Sequence, residues 1–193
     1  MMDDILFDAI EVAVHAHRGQ FRKGTKIPYV FHPLNVGRIL HECGCSVLVV
    51  VAGILHDTLE DTPIAFEDIQ TRFGEEVANL VSLLSEPDKT DTWEHRKEHT
   101  LRSLESASEE VLLIALADKL DNIQSIYRAL ERDGEVVWSR FNRPKKAQAW
   151  YYQKLVDVFR RRVSKKPGLS LYEALQAGVE QVFHEPDPNP DLA

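Results

Sequence analysis

Apolar residues recur at helical spacing along most of the chain. Ile5, Ala9, Val12 and Ala16 form one stripe, with Asp3 or Asp4 expected as its cap. A polar loop rich in Gly, Arg, Lys and Pro follows at 18–31. Pro33, tolerated in a first turn, opens a helix that runs to about residue 43 and ends at Gly44. Ser46 caps the next segment, which is apolar almost all round and continues with no turn signal into His-Asp-Thr-Leu-Glu-Asp at 56–61. Two short amphipathic helices are expected at 66–73 and 75–84, parted by Gly74, then a charged helix at 93–105. The helix expected at 108–132 is solidly apolar over 111–117 and should be central; helices at 144–162 and 170–183 complete the set. No repeat, hairpin signal or alternating pattern interrupts this series. The expectation is one all-α domain of eight to ten helices over 1–184, followed by an unstructured Pro- and Asp-containing tail at 185–193.

The 193 residues suffice for one substantial core, and 44% apolar with 28% charged residues suits a globular chain. A net charge of −8 argues against a broad nucleic-acid surface, which needs a basic excess. It leaves room for a small anionic substrate held by a local cluster of Arg and Lys. Cys43 and Cys45 stand too close for an easy disulfide, and no second Cys pair completes a zinc site. Residues 1–10 carry three aspartates and no basic stretch, unlike a secretory signal. The apolar run at 47–55 is far shorter than the ~20 residues that span a bilayer. The expected setting is the cytoplasm, with no membrane partner; nothing in the pattern speaks to an oligomeric state.

Against this background, His56-Asp57-Thr58-Leu59-Glu60-Asp61 stands out. On one continuous helix, Glu60 lies ~40° from His56 and Asp61 ~40° from Asp57, so four polar groups share an arc of ~140°. Such an arc leaving a buried helix is costly unless something pairs the charges, and a divalent cation would. The plain alternative is a helix end emerging into solvent. Asp118 shifts the balance: it follows the apolar run 111–117, where an ionisable group needs a partner, and Asn122 lies one turn on. His32, between apolar residues at a helix start, reads alone as a satisfied core histidine. Taken together, two imidazoles and two carboxylates suit Mn²⁺, with Zn²⁺ or Fe²⁺ as competitors.

In this order, His32, His56-Asp57 and Asp118 resemble the H…HD…D signature of HD-superfamily phosphohydrolases. The segments 17–23, 28–33, 55–62 and 116–122 look more narrowly like the hydrolase domain of RelA/SpoT proteins, and the chain resembles a small alarmone hydrolase. The resemblance implies a Mn²⁺-dependent 3′-pyrophosphohydrolase of (p)ppGpp-type alarmones. It assigns His32, His56, Asp57 and Asp118 to the metal and Glu60 with Asp61 to catalysis. It also brings Arg22, stacked on the base, with Lys23 and Asn122 to the nucleotide, and more loosely Lys146 near Trp150.

Two segments depart from that family, 84–90 and 137–152. Both border the expected base or 5′-phosphate region, so guanine and adenine stay open. An HD-type 5′-nucleotidase is the alternative enzyme, and a nucleotide-binding module without turnover the alternative class. His95 and His99, one turn apart among charges, read as a solvated helix face rather than a second metal site. His17 is expected to shape the site and His15 to pack. The basic run Arg160-Arg161-Arg162 reads as a helix-end cap rather than a nucleic-acid patch.

Overall fold

The computed structural model describes residues 2–85 and 90–184. Among these it contains ten α-helices, one 3-10 helix and a lone bridge between Phe21 and Pro28. The all-α expectation holds; the expected tail at 185–193, and residues 86–89 of the first divergent segment, lie outside the described residues.

The helices are α1 (Met2–Ala16), α2 (Phe31–Glu42), α3 (Val47–Leu55), α4 (Thr58–Asp61) and α5 (Phe66–Phe73). After them come α6 (Glu75–Leu84), α7 (Trp93–Ser106), α8 (Glu109–Asp133), the 3-10 helix Gly134–Arg140, α9 (Lys145–Arg162) and α10 (Gly168–Phe183). Ser46 caps α3 as expected, and two further helices start the same way. The side-chain oxygens of Ser46, Thr92 and Ser108 accept hydrogen bonds from the amides of Val49, His95 and Val111. α1 begins at Met2, so Asp3 and Asp4 both lie in its first turn.

The core is built around α8, whose residues Val111 to Ala117 are all buried. Each fully buried aliphatic side chain contributes ~1.5–3 kcal/mol, so this run anchors the helix axially. Along α8 pack α10, α2, α3 and α6. α1 lies on α3, α5 on α6, and α7 on α9. Helices α2 and α3 approach closely through glycines. A Cβ on Gly37 would fall 2.4 Å from Ile54 Cγ1, and one on Gly53 would fall 2.4 Å from Leu40 Cδ1. This contact brings the start of α2 beside the end of α3.

The basic run lies in the last turn of α9, as expected. It also reaches a second helix: Arg162 donates to the carbonyl of Glu105 and, at 2.8 Å, to that of Ala107, while Arg161 pairs with the Glu105 carboxylate. Arg162 therefore also satisfies carbonyls at the end of α7.

Candidate metal and nucleotide site

The apolar helix expected to continue through 56–61 breaks instead. α3 ends at Leu55, His56 and Asp57 form a turn, and α4 restarts at Thr58. The Thr58 hydroxyl donates to the Leu55 carbonyl at 2.6 Å, and the Asp61 amide to the Asp57 carbonyl at 2.9 Å. A side chain that captures a carbonyl at the helix end competes with the regular ladder. At this turn His56 and Asp57 both face His32 of α2, and they share the space beside Asp118 of α8.

His32 from α2 and His56 meet with ring centroids 5.1 Å apart, edge to face. The ligand atoms of His32, His56 and Asp118 all lie within 4.8 Å of one another. Asp57 joins them, its Oδ2 lying 3.1 Å from His56 Nε2 and 3.5 Å from His32 Nε2. His32 Nε2 is 3.2 Å from Asp118 Oδ1. Both histidines are buried, 2% and 5% exposed.

Their outer nitrogens are spoken for. His56 Nδ1 donates to the Gly53 carbonyl at 2.8 Å, and His32 Nδ1 to Asp121 Oδ2 at 2.8 Å. A carbonyl only accepts, so Nδ1 of His56 carries a proton, and in the neutral ring Nε2 carries the lone pair. That buried Nε2 has no hydrogen-bond partner although a carboxylate stands 3.1 Å away. An orphaned imidazole lone pair facing two carboxylates and a second imidazole fits a divalent cation.

The electrostatics agree. Burial alone would lower the imidazole pKa of His32, yet hydrogen bonds to Asp118 and Asp121 push it up to about 9. Burial would raise Asp57, but His56 and His32 hold its carboxyl well below the usual range. Asp118 is likewise held low against its burial, first by Lys119, whose Nζ is 2.7 Å away, and then by His32 and His56. Both carboxylates thus stay ionised in the interior and draw positive charge.

Other groups orient this cluster. Tyr29 donates to Asp57 Oδ2 at 2.5 Å, and its burial with the Asp57 charge drives the phenol far up. Asn35 donates to Asp121 Oδ1 at 3.0 Å, and Asn122 to Asp118 Oδ1 at 2.6 Å. Tyr29, Asn35 and Asp121 were not singled out from the sequence. The available signal was position: Tyr29 and Asn35 flank His32 by three residues, and Asp121 follows Asp118 by three.

Glu60 and Asp61 sit on α4, one turn after the turn that carries His56 and Asp57. Asp61 is exposed, its charge reaches Tyr29, and its carbonyl accepts from Gln20 Nε2 at 2.8 Å. Gln20 also meets His17 Nδ1 at 2.8 Å, so buried His17 braces the loop against α4. His15, expected to pack, is exposed beside Glu11 because it lies on the outer face of α1.

Next to the cluster opens a cavity of about 640 Å³. Lys119, Tyr29, Asn35 and Asn122 belong both to its wall and to the cluster's partners. Among the described residues, eight Lys and Arg side chains line it, including Arg22, Lys23, Arg128, Arg132 and Arg140, and no Asp or Glu does. In a chain of net charge −8 this is a strong local inversion. Arg22 arrives edge-on, Nη2 paired with Asp121 and Nη1 donating to Asn122 Oδ1 at 3.3 Å. The structure does not bring Lys146 to this wall. It is exposed, whereas Gln148, Tyr151 and Tyr152 of the same helix line the cavity, because only their face of α9 turns inward.

The model of the HD domain family matches residues 9–146, well over half of the chain. The chain belongs to the HD domain family. It is 39% identical over 127 residues to the guanosine-3′,5′-bis(diphosphate) 3′-pyrophosphohydrolase MESH1 of Xenopus tropicalis, a match covering 64% of this chain and 70% of that protein. The enzyme of the same activity name from Aquifex aeolicus is 39% identical over 121 residues, but this HD domain spans only 17% of that longer protein. Among solved structures, a metazoan ortholog of SpoT described as hydrolysing ppGpp superposes with a TM-score of 0.74 at 30% identity. That match covers 92% of this chain and 94% of the other. No helix among the described residues of this HD domain is long and apolar enough to cross a membrane.

Proposed function

We propose that this HD domain is a Mn²⁺-dependent 3′-pyrophosphohydrolase of (p)ppGpp-type alarmones, releasing pyrophosphate and GDP or GTP, or the adenosine equivalents. The observation that carries the reading is the junction of a largely buried His-His-Asp-Asp cluster with a cavity that, among the described residues, is walled by eight cations and no acid. A nucleotide with phosphate at both ends needs both halves of that arrangement. The similarity to MESH1 and to the SpoT ortholog supports the same substrate class.

His32, His56, Asp57 and Asp118 would hold the ion, with Zn²⁺ or Fe²⁺ able to compete for the same donors. When bound, a divalent ion supplies charge neutralisation and Lewis-acid activation at a phosphoryl group. The net reaction adds water across the bond between the ribose 3′ oxygen and phosphorus. That P–O bond breaks, the 3′ oxygen gains a proton, and pyrophosphate departs. Glu60 and Asp61 would take the proton from the attacking water and return one to the 3′ oxygen. Arg22, held by its edge, presents a planar face suited to stacking on the base, and Lys23 supplies a point charge to phosphate. We place the reaction in the cytoplasm, on a free nucleotide rather than nucleic acid or membrane.

The test incubates the protein with Mn²⁺ and a panel of guanosine and adenosine alarmones and identifies the products by chromatography. Pyrophosphate supports the reading. Orthophosphate would make this a nucleotidase, and binding without turnover a nucleotide-binding module.

A further inference from the structure

Asp121 is a carboxylate 1% exposed whose three partners come from α2, which carries His32 and Asn35, and from the loop before it, which carries Arg22. Its Oδ2 accepts from His32 Nδ1 at 2.8 Å and from the Arg22 guanidinium, and its Oδ1 accepts from Asn35 at 3.0 Å. A buried carboxylate is tolerated only when so satisfied. One oxygen atom therefore serves both a ligand of the metal cluster and the arginine on the cavity wall. We propose that Asp121 is a positioning residue that sets both ends of the site, holding His32 with Nε2 toward the cation and Arg22 with its flat face toward the nucleotide. This rests on the metal and nucleotide reading above.

The two imidazoles are oriented by different means. His56 is held by the backbone carbonyl of Gly53, which no side-chain change removes. His32 is held by Asp121 alone at Nδ1. An ionised carboxylate only accepts, so in the neutral ring that binds a cation it keeps the proton on Nδ1 and the lone pair on Nε2, and it strengthens the ring as a donor.

On the other side, Arg22 uses Nη2 for Asp121 and Nη1 for Asn122, both in the guanidinium plane. The faces of the plane are not consumed by these contacts. The same loop is seated a second time at Gly24, whose φ is 67° and where a Cβ would lie 2.5 Å from Arg140 Cγ. Arg140 is itself paired with Asp133 at the end of α8. The loop thus meets α8 beside the metal cluster, where Arg22 reaches Asp121 and Asn122, and again through Arg140 and Asp133 at the far end of the helix; of these contacts only Asp121 also holds His32.

Calorimetric titration with Mn²⁺ alone, on wild type, Asp121→Asn and Arg22→Gln, separates the roles when combined with KM and kcat for guanosine 3′,5′-bispyrophosphate. Asp121→Asn should lose ~10–100-fold in Mn²⁺ affinity and also show a raised KM. Arg22→Gln should raise KM while binding Mn²⁺ no more weakly than wild type. Wild-type Mn²⁺ affinity in Asp121→Asn, or an equal loss in both variants, would overturn the proposal. Should Asp121→Asn fail to fold, ¹⁵N spectra of the Zn²⁺-loaded wild type decide it. A proton on His32 Nδ1 supports the role, and a proton on Nε2 removes it. A wild type that binds no Mn²⁺ at all would sink the metal reading itself, and this inference with it.

Discussion

Asp118 is an anionic side chain at the end of seven consecutive buried residues, and Lys119, His32 and Asn122 all converge on it. Removing its charge leaves two imidazoles and one carboxylate for the cation. Losing even a group behind a ligand costs ~10–100-fold in metal affinity, so Asp118→Asn should cost at least ~10-fold and abolish turnover. Full metal occupancy with normal turnover would remove it from the ligand set. Glu60 and Asp61 have a different position, on α4 beyond the turn rather than inside the cluster. The double variant Glu60→Gln, Asp61→Asn should keep its metal and still bind nucleotide, while turnover falls by ~10²–10⁴-fold. Calorimetry beside a product assay reads both, and loss of metal in that variant would make these carboxylates ligands.

At the scale of elements, the decisive contact is the close approach of α2 and α3. Gly37 and Gly53 let Ile54 and Leu40 occupy space that a methyl group would claim. An alanine at Gly37 gains up to ~1 kcal/mol of helix propensity. Against this, the buried Ile54 at 2.4 Å must move, and overpacking costs ~1–3 kcal/mol. Packing wins here because Ile54 is 3% exposed and has nowhere to retreat. Gly37→Ala should therefore unfold at lower denaturant concentration and also bind Mn²⁺ more weakly, since α2 carries His32 and α3 leads into His56. Unchanged stability in a urea titration would show that the two helices can separate freely.

For the whole molecule, the balance of charge makes a prediction about salt. The chain carries −8 overall while its cavity wall is cationic. Attraction of a polyphosphate across solvent weakens once the Debye length shrinks from ~10 Å at 0.1 M salt to ~3 Å at 1 M. KM for the alarmone should rise steeply over that range with kcat little changed; a salt-independent KM would mean that these cations do not meet the substrate. Metal should also stabilise the fold, because its donors come from α2, the turn after α3, and α8, which meet only when folded. Mn²⁺ at ~100 times its dissociation constant should add ~2.7 kcal/mol to the unfolding free energy. Thermal melts with and without chelator measure this, and Asp118→Asn should lose most of the shift.

Local chemistry was legible from residue order. The apolar stripes, Ser46 as a cap, and Gly74 between α5 and α6 act within a few residues, so spacing alone carries them. The motifs that place two histidines and two aspartates together were legible for the same reason, each being short. What spacing could not carry was the break at His56-Asp57, because an apolar run looks the same whether or not Thr58 captures the Leu55 carbonyl. Nor could it show that Asp121 joins Arg22 to His32 across 99 and 89 residues of chain, or that Arg162 also reaches carbonyls at the end of α7. Side-chain partners that distant depend on which helix faces meet. That was decided by the packing of α2, α3 and α9 against their neighbours, and it is also what excludes Lys146 from the cavity while admitting Gln148.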